Sequence, residues 1–408
     1  MNLKIGVELL ELLLLGREFD DRKEGRTLTD AKSGIGLETA MKRFIDCLIP
    51  FRTCNLRCPY CYITHTKSFG EKLPVFPYSA EHIGRSLSAE RLGGISLINL
   101  CGEGETLLPS EVPGIVRAIL EQGHYVMVVT NGTIAKRFDE IAALPADCLE
   151  RLLIKFSFHY LELQKRGWLD LFFNNVQKVR QAGASISVEL TPSDEMIPHV
   201  DDAIAICRER AGAPCHVTVA RDETSPDLAI LTRHSRAEYR EIWNRFDSDL
   251  FRFKMSVFGE RRREFCYAGL WSGTLDLVTG DLKQCYCEKP IQNLYADLAR
   301  PVRFFPVGPH CSLPHCYNAH VFMTLGLVPS IPTPPFAEMR NRVCADGTEW
   351  LTPRMKAFLC QKLGGENREW GRLEKQRVEL RRTWAASRLR RLVQALAARL
   401  PGGVGRQP

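Results

Sequence analysis

Residues 45–61, IDCLIPFRTCNLRCPYC, decide the fold. Residues 45–51 form an apolar run of the kind that builds a buried strand. Three cysteines, Cys54, Cys58 and Cys61, follow this run on one short loop. In parallel α/β proteins the chemistry lies where strands run into the loops that follow them. This order therefore predicts an α/β fold with a metal site at the C-terminal edge of its sheet.

The rest of the chain repeats the pattern of strand followed by helix. Helices are predicted from an N-cap at Ser79 to about residue 92, and from Ser110 and Pro113 to Gly123. Six strands with helices between them predict a parallel sheet with right-handed crossovers. Because a closed barrel needs eight strands, we expect an open, partial (β/α)6 TIM-like barrel. The five further predicted strands are 95–100, 125–130, 152–158, 186–190 and 216–220, and the other predicted helices are 134–144, 169–182, 199–210 and 236–246.

The composition is that of a soluble globular protein. Of 408 residues, 45% are hydrophobic and 25% are charged, which excludes a disordered or fibrous chain. No run approaches the roughly 18 apolar residues of a membrane-spanning helix, and the N-terminus lacks the features of a secretory signal. These features predict a cytoplasmic protein. In that reducing compartment the 15 cysteines are expected to be metal ligands or buried thiols rather than disulfides.

Composition also changes along the chain. The βα rhythm stops near residue 223, and proline and glycine become frequent around 301–335. Between Arg368 and Arg399, ten Lys and Arg residues stand against three Glu, which accounts for the net charge of +7. The predicted divisions are an N-terminal extension (1–43), a barrel core (44–223), a helical connector (224–265), a loop-rich module (266–360) and a basic amphipathic C-terminal helix and tail (361–408).

The cysteine triplet suits a particular kind of metal site. Three thiolates on one loop leave one iron of a 4Fe-4S cube without a protein ligand, and an open iron has room for a reacting molecule. The alternatives are a zinc knuckle that takes a fourth ligand such as His65, or three unconnected thiols.

The triplet resembles the signature of the radical SAM superfamily. That family has a CxxxCxxC motif with an aromatic residue before the last cysteine, matched by Cys54, Cys58, Tyr60 and Cys61. The resemblance implies a 4Fe-4S cluster on the three cysteines and S-adenosylmethionine (SAM) chelated by the fourth iron. It further implies reductive cleavage of SAM to a 5'-deoxyadenosyl radical that abstracts hydrogen from a substrate.

Further cofactor contacts are implied by the same resemblance. Residues 101–106, CGEGET, resemble the family's GGE element, with Gly104 and Glu105 as the matched pair and Thr106 in place of the usual proline. Gly102, Gly104 and Glu105 are expected near the methionyl ammonium of SAM, because glycines allow close approach and a carboxylate accepts hydrogen bonds. Asn131 and Ser157, after the third strand and at the end of the fourth, complete the expected SAM contacts. Residues that could face a substrate, although each is more typical of a barrel rim or core, are His159, Tyr160, Glu189 and Arg221.

A second cysteine group resembles the opening of SPASM and twitch modules. Cys266 and Cys285 match C-x(9-15)-G-x4-C, with Gly280 at the turn of a predicted hairpin over 271–282. Cys311 and Cys316 are the expected remaining ligands of one auxiliary 4Fe-4S cluster. The later CxxC-x5-C-x3-C run of a full SPASM module is missing. The cysteines whose role stays open are Cys287, Cys344 and Cys360, and the alternative is a zinc site drawn from Cys285, Cys287, Cys311, Cys316 and His315.

The resemblance implies an oxidoreductase or maturase-type radical SAM enzyme. The expected substrate is a peptide, a protein or a sugar-like molecule, the auxiliary cluster is expected to accept an electron, and flavodoxin or ferredoxin is expected to donate one. Nucleic acid is not an expected partner, and the basic C-terminal helix could make a weak contact with a membrane surface. The alternatives are a radical SAM enzyme that modifies RNA and a non-catalytic iron-sulfur or zinc protein.

Overall fold

A computed structural model describes residues 39–286, 289–309 and 311–386. Within these residues nine strands form one sheet, in the order β6-β5-β4-β3-β2-β1-β7-β8-β9. Strands β1 to β7 run parallel, and β8 and β9 are antiparallel to their neighbours. The strands are β1 Arg43–Ile49, β2 Ser96–Gly102, β3 Tyr125–Thr130, β4 Leu152–Phe158, β5 Ser185–Leu190, β6 His216–Val217, β7 Ser272–Asp276, β8 Asp281–Lys283 and β9 Pro290–Asn293.

The predicted α/β class and open parallel sheet are confirmed. All six strands predicted for the barrel are present, with ends that differ by at most three residues. The predicted hairpin is also present, and Gly280 at its turn has φ +84°, a left-handed conformation that favours glycine. The sequence did not show that this hairpin extends the barrel sheet, because β7 pairs with β1 across more than two hundred residues of chain.

Helices alternate with the parallel strands. Ser79 caps a helix as predicted, and its Oγ accepts the amide of His82 at 3.2 Å. The helix predicted to reach residue 92 is divided in two, because Ser88 caps a second helix by accepting the amide of Arg91. The helices are α1 Tyr62–His65, α2 Ala80–Ser86, α3 Ala89–Leu92, α4 Val112–Glu121, α5 Ala135–Ala142, α6 Ala146–Glu150, α7 Tyr160–Arg166, α8 Leu169–Gln181, α9 Val200–Ala211, α10 Arg236–Asn244, α11 Asp249–Val257, α12 Ala319–Phe322, α13 Pro353–Leu359 and α14 Arg372–Ala386, with 3-10 turns at Asp194–His199, Phe336–Met339 and Leu363–Gly365.

The two faces of the parallel sheet differ in polarity. One face carries apolar side chains such as Ile45, Ile98 and Val128, which are fully buried in the main hydrophobic core with the helices. Successive residues of a strand point to opposite faces, so the strand registers place Asp46, Asn99 and other polar residues on the second, concave face. The concave face is therefore the part of the sheet that is available for polar chemistry.

The chain divides into two compact units, and the described part of the first lies within residues 39–368. In the second unit the described part consists of residues 369–386, which include α14. A helix over Arg372–Ala386 lies within the predicted basic C-terminal segment, and residues 387–408 of that segment lie outside the described residues. The divisions predicted within residues 44–360 stay predictions. None of the described helices combines the length and the apolar character needed to cross a membrane.

Candidate active site and iron-sulfur sites

The loop that carries the first three cysteines continues the parallel pairing of β1 with β2. After β1 ends, the amide of Gly104 donates to the carbonyl of Phe51 at 2.7 Å, and the amide of Glu105 donates to the carbonyl of Thr53 at 3.1 Å. The amide of Glu103 likewise donates to the carbonyl of Ile49. The backbone of the sheet therefore fixes the start of the cysteine loop.

Glycines in the 101–106 segment allow this close approach. A Cβ at Gly104 would lie 2.0 Å from the carbonyl oxygen of Thr53, so no side chain fits there. A Cβ at Gly102 would lie 3.1 Å from the ring of Phe51. Both glycines lie against the segment that leads into Cys54, and the amide of Gly102 also donates to Thr106 Oγ1 at 2.8 Å. The predicted contact of these glycines with SAM stays a prediction.

Glu105 joins the ends of two strands. Its buried carboxylate accepts hydrogen bonds from Thr130 Oγ1 at 2.6 Å, from the amide of Asn131 at 2.7 Å and from the amide of Leu107 at 2.9 Å. Burial raises the pKa of this carboxyl, and the three hydrogen bonds act in the opposite direction. Glu105 thereby holds the loop after β2 against the end of β3, and its expected bond to the SAM ammonium stays a prediction.

Asn131 connects the end of β3 to the cysteine loop. Its Nδ2 donates to Asn55 Oδ1 at 2.7 Å and lies 3.9 Å from Cys54 Sγ. Its Oδ1 accepts from Thr133, whose hydroxyl also accepts from Asn55 Nδ2 at 2.8 Å. The residue predicted to contact SAM therefore lies directly beside the first predicted iron ligand.

The other side of the loop is attached to the end of β4. Tyr60 Oη and His159 Nδ1 are hydrogen-bonded at 2.6 Å, and the amide of Arg57 donates to the buried carboxylate of Glu162 at 3.1 Å. Ser157 is half-buried on the concave face, where Lys155 Nζ lies 3.2 Å from its hydroxyl. The ends of β2, β3 and β4 thus surround the cysteine loop.

The three thiols are close enough to affect one another. Burial raises the pKa of Cys54 to about 11, and it also raises the pKa of Cys58 and Cys61. A negative charge on Cys61 raises the pKa of Cys58 further. Three adjacent, partly buried thiolates need a compensating positive charge, and bound iron supplies one. The donor set therefore fits the cluster predicted from the sequence.

The second cysteine group surrounds one cavity. All four predicted ligands, Cys266, Cys285, Cys311 and Cys316, line it, together with His315. Its empty volume, which includes open solvent at the mouth, is about 680 Å³. Burial raises the pKa of Cys316 to about 12, and a negative charge on Cys266 raises it further. Residues 266–316 thus bring four soft sulfur donors to one apolar space, as an iron-sulfur cluster requires.

The cysteines of open role lie elsewhere or outside the description. Cys287 is outside the described residues. Cys344 is buried against Gly212 at the end of α9, and Cys360 is exposed at the end of α13. Among the described residues, no three His, Cys, Asp or Glu side chains are grouped closely enough to hold a single metal ion. The four irons of a cluster accept ligands that stand farther apart than those of one zinc ion.

Comparison with known proteins bears on the first of these two sites. The model of the radical SAM superfamily matches residues 48–191, which include the cysteine loop and the ends of β1 to β4. Residues 48–191 form a radical SAM domain. No curated protein has a significantly similar sequence.

Several solved structures resemble the chain more remotely. Streptococcus suis SuiB bound to its precursor peptide SuiA is 14% identical with a TM-score of 0.45, and the match covers 63% of each chain. Native anSMEcpe with bound AdoMet is 12% identical with a TM-score of 0.41, covering 62% of this chain and 79% of that one. The match thus spans less than two thirds of SuiB. Similarities this weak carry no argument about substrate or auxiliary clusters.

The concave face also carries polar groups, of which sequence reasoning missed Asp46, Asn99 and Lys155. Asp46 on β1 accepts from Asn99 Nδ2 at 2.7 Å and from the hydroxyl of Tyr286, the neighbour of Cys285. Burial raises the pKa of the Asp46 carboxyl. On the other half of the sheet, Glu189 pairs with Lys155 at 3.0 Å. The signal was present in the sequence, since each of these strand residues interrupts an apolar run at the two-residue spacing of one sheet face.

Proposed function

We propose that the protein is a radical SAM enzyme that abstracts a hydrogen atom from a peptide, protein or sugar-like substrate. The observation that carries the proposal is the loop of Cys54, Cys58 and Cys61, which is hydrogen-bonded to the ends of β2, β3 and β4 beside a polar concave face. A three-cysteine loop in that place suits a cluster with one open iron.

Each of these residues has a proposed task. Cys54, Cys58 and Cys61 hold a 4Fe-4S cluster, and Asn131 Nδ2 tunes it through Cys54 Sγ. When bound, the cluster and SAM supply an electron, a reductively cleaved sulfonium and a 5'-deoxyadenosyl radical that can remove hydrogen from a substrate. Gly102, Gly104 and Glu105 set the position of the loop, and Tyr60 and Ser157 are the proposed further contacts of SAM.

An auxiliary cluster is the second part of the proposal. Cys266, Cys285, Cys311 and Cys316 line one cavity, and Tyr286 connects that region to Asp46 on the concave face. With four cysteine ligands the auxiliary cluster has no open iron, which favours the role of electron acceptor over that of substrate ligand. The net reaction is then an oxidation, and a cytoplasmic flavodoxin or ferredoxin is the proposed donor of the first electron.

Anaerobic reconstitution tests both parts. The full chain is loaded with iron and sulfide, reduced with dithionite in the presence of SAM, and assayed for 5'-deoxyadenosine, methionine, iron, sulfide and zinc. About eight irons per chain, four for each cluster, together with SAM cleavage are expected. About four irons with cleavage would remove the auxiliary cluster from the proposal. Zinc without cleavage would support a non-catalytic metal protein instead.

A further inference from the structure

The concave face at β4, β5 and β6 holds a buried group of charged side chains. The strand register places Ser157 on β4 beside Glu189 on β5, and Glu189 beside His216 on β6. These three residues therefore share one face of the sheet. Helix α11 packs against β6, and α12 and the 3-10 turn Phe336–Met339 pack against α11. This part of the concave face is therefore enclosed by segments that lie outside the matched radical SAM domain.

Among the described residues, Glu189 is the carboxylate that pairs with the cations of this group. It is 6% exposed and pairs with Lys155 Nζ at 3.0 Å and with Arg340 NH1 at 2.6 Å. The two cations hold the pKa of Glu189 well below its usual range, although burial acts in the opposite direction. One negative charge is thus already shared between two positive ones.

Lys254 on α11 adds a third cation without adding a carboxylate. The residue is 4% exposed, and its Nζ donates to Thr218 Oγ1 at 2.8 Å. Within the described residues Lys254 has no ion-pair partner. His320 lies in the same group, and its Nδ1 is buried with no hydrogen-bond partner among those residues. Burying an ammonium group with a single neutral acceptor and an imidazole nitrogen with none is unfavourable, so such groups are expected to serve a ligand.

Lys362 is a lysine with a structural role, and its ammonium group has a full set of hydrogen-bond acceptors. Its Nζ donates to the carbonyls of Thr324, Thr333 and Pro334 and to the hydroxyl of Thr333. Lys254 has one acceptor, although it is more deeply buried. The donors that remain on Lys254 point to a missing acceptor.

We propose that Lys155, Lys254, Arg340 and His320, here called the cation cluster, bind an oxyanion of the substrate, either a carboxylate or a phosphate. Lys155 and Arg340 around one carboxylate leave an excess of positive charge, which Lys254 increases when it is protonated. Both oxyanions also offer the acceptors that Lys254 and His320 lack. The inference rests on the proposed function and narrows its substrate to a molecule with an acidic group. Hydrogen abstraction would then occur at a part of the substrate that this anchor positions.

Anion binding has a measurable signature in proton uptake. Burial lowers the pKa of Lys254 to about 7, and Glu189 raises it while nearby cations lower it. An anion beside Lys254 raises its pKa, so the site takes up a proton on binding near pH 7.5. The charged and titratable groups that act on Lys254 or are acted on by it are Lys155, Glu189, Arg221, His315, Cys316, His320 and Arg340.

The test is calorimetric titration of the reconstituted full chain with inorganic phosphate and, separately, with sodium acetate. Ionic strength is held constant with NaCl, and two buffers of different ionisation enthalpy report proton uptake. Wild type is expected to bind one of the two anions with proton uptake, and the tighter anion identifies the oxyanion. Lys254→Met is expected to bind about tenfold or more weakly, and Lys254→Arg is expected to bind without proton uptake. Methionine fills a similar volume without a buried charge, so this variant is expected to fold.

Lys362→Met is the matched control and is expected to bind the anion as wild type does. The proposal is overturned if wild type binds neither anion, or if Lys254→Met binds as tightly as wild type. A carboxylate at this site could belong to the substrate or to SAM, and equilibrium dialysis with SAM distinguishes the two. If Lys254→Met loses SAM binding as much as anion binding, the cluster serves the cofactor and the proposal is also overturned. Neither the calorimetric titration nor the dialysis requires SAM cleavage. A failure of the anion site can therefore be distinguished from a failure of the proposed function.

Discussion

The two cysteine groups are built in different ways. The first, Cys54 to Cys61, lies on a loop whose backbone continues the pairing of two parallel strands and whose side chains bond to the ends of two more. The second lines a cavity between irregular segments, where Cys266 forms an isolated antiparallel β-bridge with Gly308. A sheet can position the first group without metal, whereas the second group depends more on what its sulfurs bind.

The largest expected effect is on SAM cleavage. Cys58→Ser removes a ligand from the first group, so formation of 5'-deoxyadenosine is expected to fall below detection. Because the sheet positions the loop, the thermal unfolding midpoint is expected to stay close to that of wild type. The control is Cys47→Ala, which removes a buried thiol from β1 outside the loop. If Cys58→Ser cleaves SAM as Cys47→Ala does, the first group is not the reactive site.

The next effect separates the second group from the first. Cys316→Ala is expected to lower the iron content from about eight to about four per chain. Uncoupled SAM cleavage is expected to remain measurable, and the unfolding midpoint is expected to fall, because metal-ligand bonds contribute folding energy. Cys344→Ala, away from the cavity, is expected to keep the full iron content. Equal iron loss in both variants would show that the cavity is not the auxiliary site.

A smaller effect tests how the sheet holds the first group. Gly104→Ala forces a Cβ to within 2.0 Å of the Thr53 carbonyl, and relieving this overlap is expected to cost about 1–3 kcal/mol and to impair cluster loading. In Gly114→Ala, the new Cβ on α4 meets Ala80 at an ordinary 3.7 Å. This control is expected to gain about 0.5–1 kcal/mol. Chemical denaturation and iron analysis measure both variants, and equal iron content in the two would refute a positioning role for Gly104.

The smallest effect is a pH dependence of the barrel. His124 Nδ1 accepts the amide of Ser96 and its Nε2 donates to the carbonyl of Leu87, so the folded state holds a neutral ring. Burial lowers the pKa of His124 from 6.5 to about 4. The unfolded chain binds a proton below pH 6.5 and the folded chain does not, so stability falls as the pH drops through this window. Between pH 7.5 and 5.5 the expected loss is about 1 kcal/mol, and denaturation of His124→Gln should show that much less pH dependence.

Local sequence patterns were enough to predict the parallel strands and the first cysteine loop. Apolar runs of strand length recur between helical patterns, and Cys54 follows the first of them. The split between α2 and α3 was visible only as a second serine, Ser88, inside a helical pattern. The pairing of β7 with β1 could not be predicted, because it joins segments that are distant in sequence.

Within the site, residue types were easier to predict than partners. The spacing of Cys266, Cys285, Cys311 and Cys316 identified side chains that do line one cavity. Glu105 was expected to face SAM, yet its described hydrogen bonds all go to the protein. The excess charge around Lys254 arises from four separate segments, and no local pattern indicates that they meet.

The segment after β7 is hydrogen-bonded to β1, which limits where the protein can be divided. The amide of Leu277, just after β7, donates to the carbonyl of Leu48 on β1 at 2.8 Å, so the segment leading to Cys285 covers the flank of the strand leading to Cys54. A chain cut before residue 266 would leave the donors and acceptors on that flank of β1 exposed. An uncovered edge recruits other chains. We therefore expect the barrel alone to self-associate, which means that the two sulfur-rich regions are inseparable parts of one folding unit.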